Sequence, residues 1–257
     1  MTPVPSRRRR AFLAIAVIAV VLVVVGAAGF LWYAQPRPLL PEATAALAST
    51  PDATYTAGPG ERITFVRAGD APRTGLVLYA GGTVPPAAYA PVGRAIAEAG
   101  YLVALVPAPF GLAILDVSAA EAVIDDHPEI TSWSVGGHSL GGAAAALFID
   151  GHPGLVDGLV LWASYSSADL SGDGVLVSSS YGSLDRGRAV FTSEENVAKL
   201  GPAVVVTTID GGNHEQMGWY TGQPDDPPAT ISRQEQQDRI VAATLELLEA
   251  LDQPPLE

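Results

Sequence analysis

Residues 136–142 read Gly-Gly-His-Ser-Leu-Gly-Gly, and Gly137, Ser139 and Gly141 fit the G-x-S-x-G pattern of a nucleophile elbow. A serine hydroxyl so placed can attack an acyl carbon once a base takes its proton. The flanking residues suit that reading. Trp133-Ser134-Val135 alternates as a strand does, and residues 143–149 are Ala-rich and read as a helix. A strand turning sharply into a helix strains the backbone at Ser139 and holds its hydroxyl clear of the sheet. Side chains at Gly137 and Gly141 would collide across so tight a turn. The five-residue pattern alone also occurs as an incidental Gly-rich turn; the strand and helix around it give it meaning.

The chain has four histidines that could serve such a hydroxyl. His138 lies inside the elbow and is expected to point away from it. His127 and His152 each precede a proline at a helix end, which suits capping or surface roles. His214, in Gly211-Gly212-Asn213-His214, follows the last predicted strand, and loops beyond strand C-termini are where ligands meet such sheets. His214 is therefore the candidate base, against the alternative of a loop imidazole satisfied by local hydrogen bonds. In α/β-hydrolases, whose elbow this pattern resembles, the orienting carboxylate falls between the serine and the base in the chain. Asp185, carried by the turn that follows a strand over 175–180, would reach the same edge, unless it is simply an exposed turn residue. Asp169 and Asp173 precede that strand, and Asp210 is too close to His214 to reach round its ring. A developing oxyanion needs two backbone donors already in place. The Leu140 N–H is one. Gly81-Gly82-Thr83, after a strand over 75–80, should supply the other, from Gly82 or failing that Thr83. Those glycines could equally serve only as a tight strand exit.

These residues must be held by the elements between them. Strand-like runs fall at 75–80, 101–106, 158–163, 175–180 and 203–209, besides the elbow strand. Helical stretches alternate with them at 88–99, 112–126 and 143–149, and a final amphipathic helix is expected over 232–251. Segments 54–56 and 62–67, around Gly58-Pro59-Gly60, suggest an antiparallel hairpin. A spacer over 35–52 carries one short helix at 43–48, and residues 215–230 read as a long loop. The alternation predicts an α/β fold: a mostly parallel twisted sheet with helices on both faces. Nothing suggests a second domain or an internal repeat, so 53–257 is expected to be one domain.

Residues 11–34 form an uncharged, almost wholly apolar run directly after Arg7, Arg8, Arg9 and Arg10. As a helix it would reach about 36 Å, enough for a hydrocarbon layer of about 30 Å. The expectation is one transmembrane signal-anchor helix after a cytoplasmic basic tail at 1–10, with all that follows on the extracytoplasmic side. The run exceeds the apolar core of about 7–15 residues in a cleaved signal peptide, although small residues at Gly26–Gly29 leave secretion after cleavage open. Trp32 and Tyr33 sit where interfacial aromatics anchor a retained helix.

Residues 35–257 carry 10 basic and 27 acidic side chains. That balance repels nucleic acid and argues against binding anionic lipid heads. The chain has no cysteine, which excludes disulfides, thiolate catalysis, cysteine-ligated zinc and a lipoprotein anchor.

The chain from about 42 to 253 resembles the α/β-hydrolase superfamily, in its compact bacterial branch with a GGHSLGG elbow. The resemblance rests on YAGGTVPPAAYAPVGRAIAEAGYLV, GGHSLGGAAAA, GLVLWASY, YGSLD, DGGNHEQMGWY and QPDDPPATISRQEQQ. It implies a triad of Ser139, Asp185 and His214, the assignment the residues themselves suggest. One departure is Ala80-Gly81, where the superfamily usually has His-Gly before the oxyanion loop. Only 11 residues separate Ala163 from Val175, too few for the lid domain usual at that place. The site should be open, walled by loops 108–112 and 215–230. Pro107, Phe110, Trp219 and Tyr220 either line it for an acyl group or pack those loops. The expected activity is cleavage of a carboxylic ester, or a related acyl bond, through an acyl-Ser139 intermediate. Its substrate is a small or lipid-like acyl compound, and no metal or organic cofactor is implied. An acyltransferase or perhydrolase using the same triad remains open, as does a non-catalytic binding protein on the same fold.

Overall fold

The computed structural model describes residues 7–49, 54–57 and 62–253. It separates after Gln35 into two compact units. The first is helix α1 (Arg7–Tyr33), whose side chains from residue 18 to Tyr33 are exposed on every side. Among the described residues no helix is long and apolar enough to cross a membrane. The membrane-crossing helix expected over 11–34 is therefore not supported by the described residues. Most of the basic tail lies outside them.

The second unit opens with the short helix α2 (Pro41–Ala45), which starts two residues before its expected place because Pro41 supplies a ready-made first turn. Among the described residues its sheet has eight strands: β1 (Thr54–Ala57), β2 (Ile63–Val66), β3 (Thr74–Tyr79), β4 (Leu102–Val106), β5 (Ser132–His138), β6 (Gly158–Trp162), β7 (Leu176–Gly182) and β8 (Val204–Ile209). Their order is β1-β2-β4-β3-β5-β6-β7-β8. β1 and β2 form the expected antiparallel hairpin, whose turn at Gly58-Pro59-Gly60 lies outside the described residues. β2 runs antiparallel to β4, and every pairing from β4 onward is parallel. The chain leaves β3 first for β4 on one side and then for β5 on the other. This reversal opens a crevice at the C-terminal ends of β3 and β5, the place where such sheets bind ligands.

Apolar residues on both faces of the strands explain the two layers of helix. Leu76 and Leu78 of β3 pack with α3 (Ala90–Glu98) and α8 (Arg233–Asp252), among Val92, Ile96, Ile240 and Leu248. Val77 and Tyr79 face the other way, toward α4 (Ala119–Asp126) and α5 (Leu140–Gly151), among Val123, Ala144 and Phe148. The helix expected over 112–126 is broken. Two short 3-10 turns, Pro109–Gly111 and Ala113–Leu115, precede α4. The Tyr79 hydroxyl takes the Ala120 N–H at 3.0 Å and donates to the Val117 carbonyl at 2.5 Å, fixing where α4 begins. Helices α6 (Arg188–Phe191) and α7 (Glu194–Ala198) have no counterpart in the sequence reading; at four and five residues they are too short to show a period.

Candidate active site

Ser139 joins β5 to α5 with φ 53° and ψ −120°. For a residue with a Cβ this is a costly conformation, of order 1–3 kcal/mol, that the surroundings must enforce. They do so through the backbone. The Ser139 N–H donates to the Trp162 carbonyl at 2.9 Å, and the Ser139 carbonyl accepts from Gly142, Ala143 and the Ser164 hydroxyl, the last at 2.6 Å. A Cβ on Gly137 would lie 2.5 Å from the Tyr79 carbonyl oxygen, and one on Gly141 would overlap the same atom. Both glycines are thus required by β3 passing alongside. Among the described residues four other non-glycine residues have positive φ: Thr83, Phe110, Ala163 and Asp225. All lie in loops that follow strands at this same edge, so the strain is concentrated there.

Asp185 and His214 meet. His214 Nδ1 is 2.7 Å from Asp185 Oδ2, with the carboxylate side chain 2% and the imidazole 14% exposed. The turns after β7 and β8 are packed backbone to backbone. Ser183 and Leu184 donate to the carbonyls of Ile209 and Gly212, and Gly211 donates to the Ser183 hydroxyl. Asp185 Oδ1 accepts the Gly187 N–H at 2.7 Å, which orients the second oxygen at the imidazole. Asp226 accepts the backbone N–H groups of His214 and Glu215 at 3.3 and 2.7 Å. Burial holds its carboxyl above the usual range, although those N–H groups act against this. Gln236 of α8 clamps Asn213 from both sides of its peptide, at 3.0 and 2.8 Å. Asp226, Gln236 and Ser164 were not singled out from sequence; the run QPDDPPATISRQEQQ contains two of them without indicating their role.

Gly82 lies beside Leu140: a Cβ placed on Gly82 would be 3.7 Å from the leucine side chain. Thr83 is no rival as a donor, because its N–H is bonded to the Gly111 carbonyl at 2.7 Å. At Gly81 an added Cβ would lie 2.7 Å from His138 Nδ1 and 3.1 Å from the Tyr89 hydroxyl. Gly81 follows Ala80, the residue at which the sequence departs from its resemblance, and the space against Gly81 is filled by an imidazole from the elbow.

His138 is buried, and its ring centroid lies 4.5 Å from that of His214. Tyr89 Oη accepts the Gly81 N–H at 3.1 Å and is 2.8 Å from His138 Nδ1. Burial, and next the nearby His214, push the His138 imidazole well below its usual value, so it is neutral.

A hollow of about 210 Å³ beside Ser139 is lined by Leu140, Ala143, Ala163, Ser164, Tyr165 and Phe191. A second, of about 200 Å³, runs along Asp185, His214 and residues 223–226, and Phe191 borders both. Of the four residues weighed as walls, none lines the Ser139 hollow. Tyr220 and Trp219 are buried in loop packing, and Phe110 is largely exposed. The stretch between β6 and β7 holds no lid. Among the described residues no group of three or more His, Cys, Asp or Glu is arranged to hold a metal ion.

Residues 75–238 match the sequence profile described as "Alpha/beta hydrolase family". Among solved structures, the chain is similar to a predicted CIB-like hydrolase from Thermoplasma acidophilum. The two are 16% identical with a TM-score of 0.53, over 77% of this chain and 99% of the other. No curated protein matches the chain.

Proposed function

The chain belongs to the α/β-hydrolase family, and from that premise we propose that it is a serine hydrolase acting on carboxylic esters. The observation that carries the reading is the buried 2.7 Å contact between His214 Nδ1 and Asp185, at the sheet edge where Ser139 is strained out of the elbow. In this mechanism the Ser139 hydroxyl attacks the ester carbonyl while His214 Nε2 takes its proton. Asp185 holds the Nδ1–H tautomer and stabilises the imidazolium. The oxyanion rests on the N–H groups of Leu140 and Gly82. Collapse of the intermediate breaks the C–O bond, and His214 returns the proton to the departing alcohol. Water, deprotonated by the same imidazole, then attacks the acyl-Ser139 and releases the acid.

The proposal extends to α1 as the anchor of the domain. Its support is an apolar run after four arginines and a helix whose side chains over 18–33 are exposed on all sides, which favours an apolar medium over water.

The test is fluorophosphonate labelling of the full chain with peptide mapping, beside Ser139→Ala and His214→Ala. Stoichiometric label on Ser139, absent from both variants, is the expected result. A folded wild-type chain that takes no label would sink the assignment and favour a binding protein.

A further inference from the structure

The edge of the sheet that carries Ser139 is also where the chain enters the domain. Arg37 donates its N–H to the Thr83 carbonyl at 2.9 Å, within the Gly81–Thr83 loop, and its guanidinium to the Gly222 carbonyl at 2.7 Å. Leu39 bridges Tyr220 in antiparallel fashion, flanked by Leu40 N–H to the Trp219 carbonyl and Thr221 N–H to the Pro38 carbonyl, each at 3.0 Å. This strap therefore starts between the oxyanion loop and the loop beyond His214. Four residue steps separate Arg37 from Tyr33, the end of α1. Fully extended they span no more than about 14 Å, about twice the roughly 5–8 Å depth of one headgroup layer.

The exposed apolar side chains gather at the same edge. Nine large hydrophobic side chains are exposed among the described residues beyond Gln35. Leu155 lies at the opposite end of the sheet, and Val205 and Val206 on the edge strand β8. The other six, Leu39, Phe110, Ile114, Leu115, Tyr165 and Val190, belong to the strap or to segments that follow β4, β6 and β7 at their C-terminal ends. Six exposed apolar side chains in segments at one edge, against three elsewhere, single out that edge for contact with an apolar partner.

Resting on the proposed roles of Ser139 and α1, we infer that this edge lies against the lipid surface that holds α1, and that long-chain acyl esters of that surface are the substrates. The hollow beside Ser139, about 210 Å³, is smaller than the roughly 300 Å³ of the smallest ordinary ligand pockets. It takes the acyl carbons next to the ester while the rest of the chain stays in lipid. The acidic balance of residues 35–257 disfavours anionic headgroups, so the partner surface is zwitterionic and contact is through apolar burial.

The absence of cysteine makes the test clean. The full chain is placed in phosphatidylcholine vesicles with a single nitroxide on Leu115→Cys, Val190→Cys or, as reference, Val24→Cys in α1. Accessibility to oxygen and to a water-soluble relaxant should put all three labels in lipid. The double variant Ile114→Ser, Leu115→Ser should turn over a bilayer-embedded palmitoyl ester roughly tenfold more slowly, with a soluble butyrate ester unaffected. Aqueous labels at 115 and 190 beside an immersed label at 24, or equal turnover of the palmitoyl ester by the double variant and wild type, would overturn the inference alone. An aqueous label at 24 would instead overturn the anchor, and failure to cleave butyrate or take up fluorophosphonate the hydrolase reading, with the inference in each case.

Discussion

Two imidazoles lie 4.5 Å apart at the end of β5, and their surroundings divide their roles. His214 has a carboxylate on one nitrogen and is partly exposed. His138 is sealed among Tyr89, Gly81 and the other ring, where a second positive charge would meet both desolvation and repulsion. Its folded-state value is lowered, so below the unfolded value of about 6.5 the unfolded chain binds a proton that the folded chain refuses. The stability due to neutral His138 is therefore complete above about pH 6.5 and declines as pH falls, by up to about 1.4 kcal/mol per unit. Urea melts of wild type and His138→Gln at pH 7 and pH 5 should differ accordingly, the variant losing roughly 2 kcal/mol less over that interval. Equal losses would mean that His138 is protonated in the folded protein. Ser139, Asp185 and His214 could be singled out from sequence because chain order and position after strands restrict the choice. The place of His138 could not, since it depends on which loop lies across the crevice from it.

At the scale of elements, the strands and long helices were legible because both signals are strong: buried apolar runs and a helical period. The two smallest helices and the break before α4 were not, because a tyrosine hydroxyl from β3 decides the latter and no local pattern announces it. The elbow shows how tightly neighbouring elements constrain one another. Gly141→Ala would drive a methyl group into the backbone carbonyls of Tyr79 and Ala80, which have no rotamer by which to give way. We expect it to cost about 3 kcal/mol or more, a fall of roughly 6–12 °C in Tm, and to abolish labelling of Ser139. Gly151→Ala, at the other end of the same helix, meets nothing within 4 Å and should be neutral or stabilising by up to about 1 kcal/mol. Calorimetry on the pair separates a steric demand from ordinary helix propensity, and an unharmed Gly141→Ala would contradict the packing described.

For the molecule as a whole, the strap couples the point of chain entry to loops on both sides of the site. Arg37→Ala removes one of its ties, the guanidinium contact to Gly222. Hydrogen exchange at Leu40 and Thr221, whose N–H groups cross between strap and loop, should then quicken together, about tenfold for a hydrogen bond worth about 1.4 kcal/mol. Unchanged protection would show that the strap holds without its arginine. Sequence gave the spacer no such role, since its Pro- and Ala-rich composition carries no sign of the edge it pairs with. The short stretch from Ala163 to Val175 has a bearing on time rather than shape. With no lid to swing aside, the path to Ser139 is open from the instant of encounter. Product formation should then begin without a lag on mixing, any early curvature being the burst of an accumulating acyl-Ser139, with no opening step to wait for.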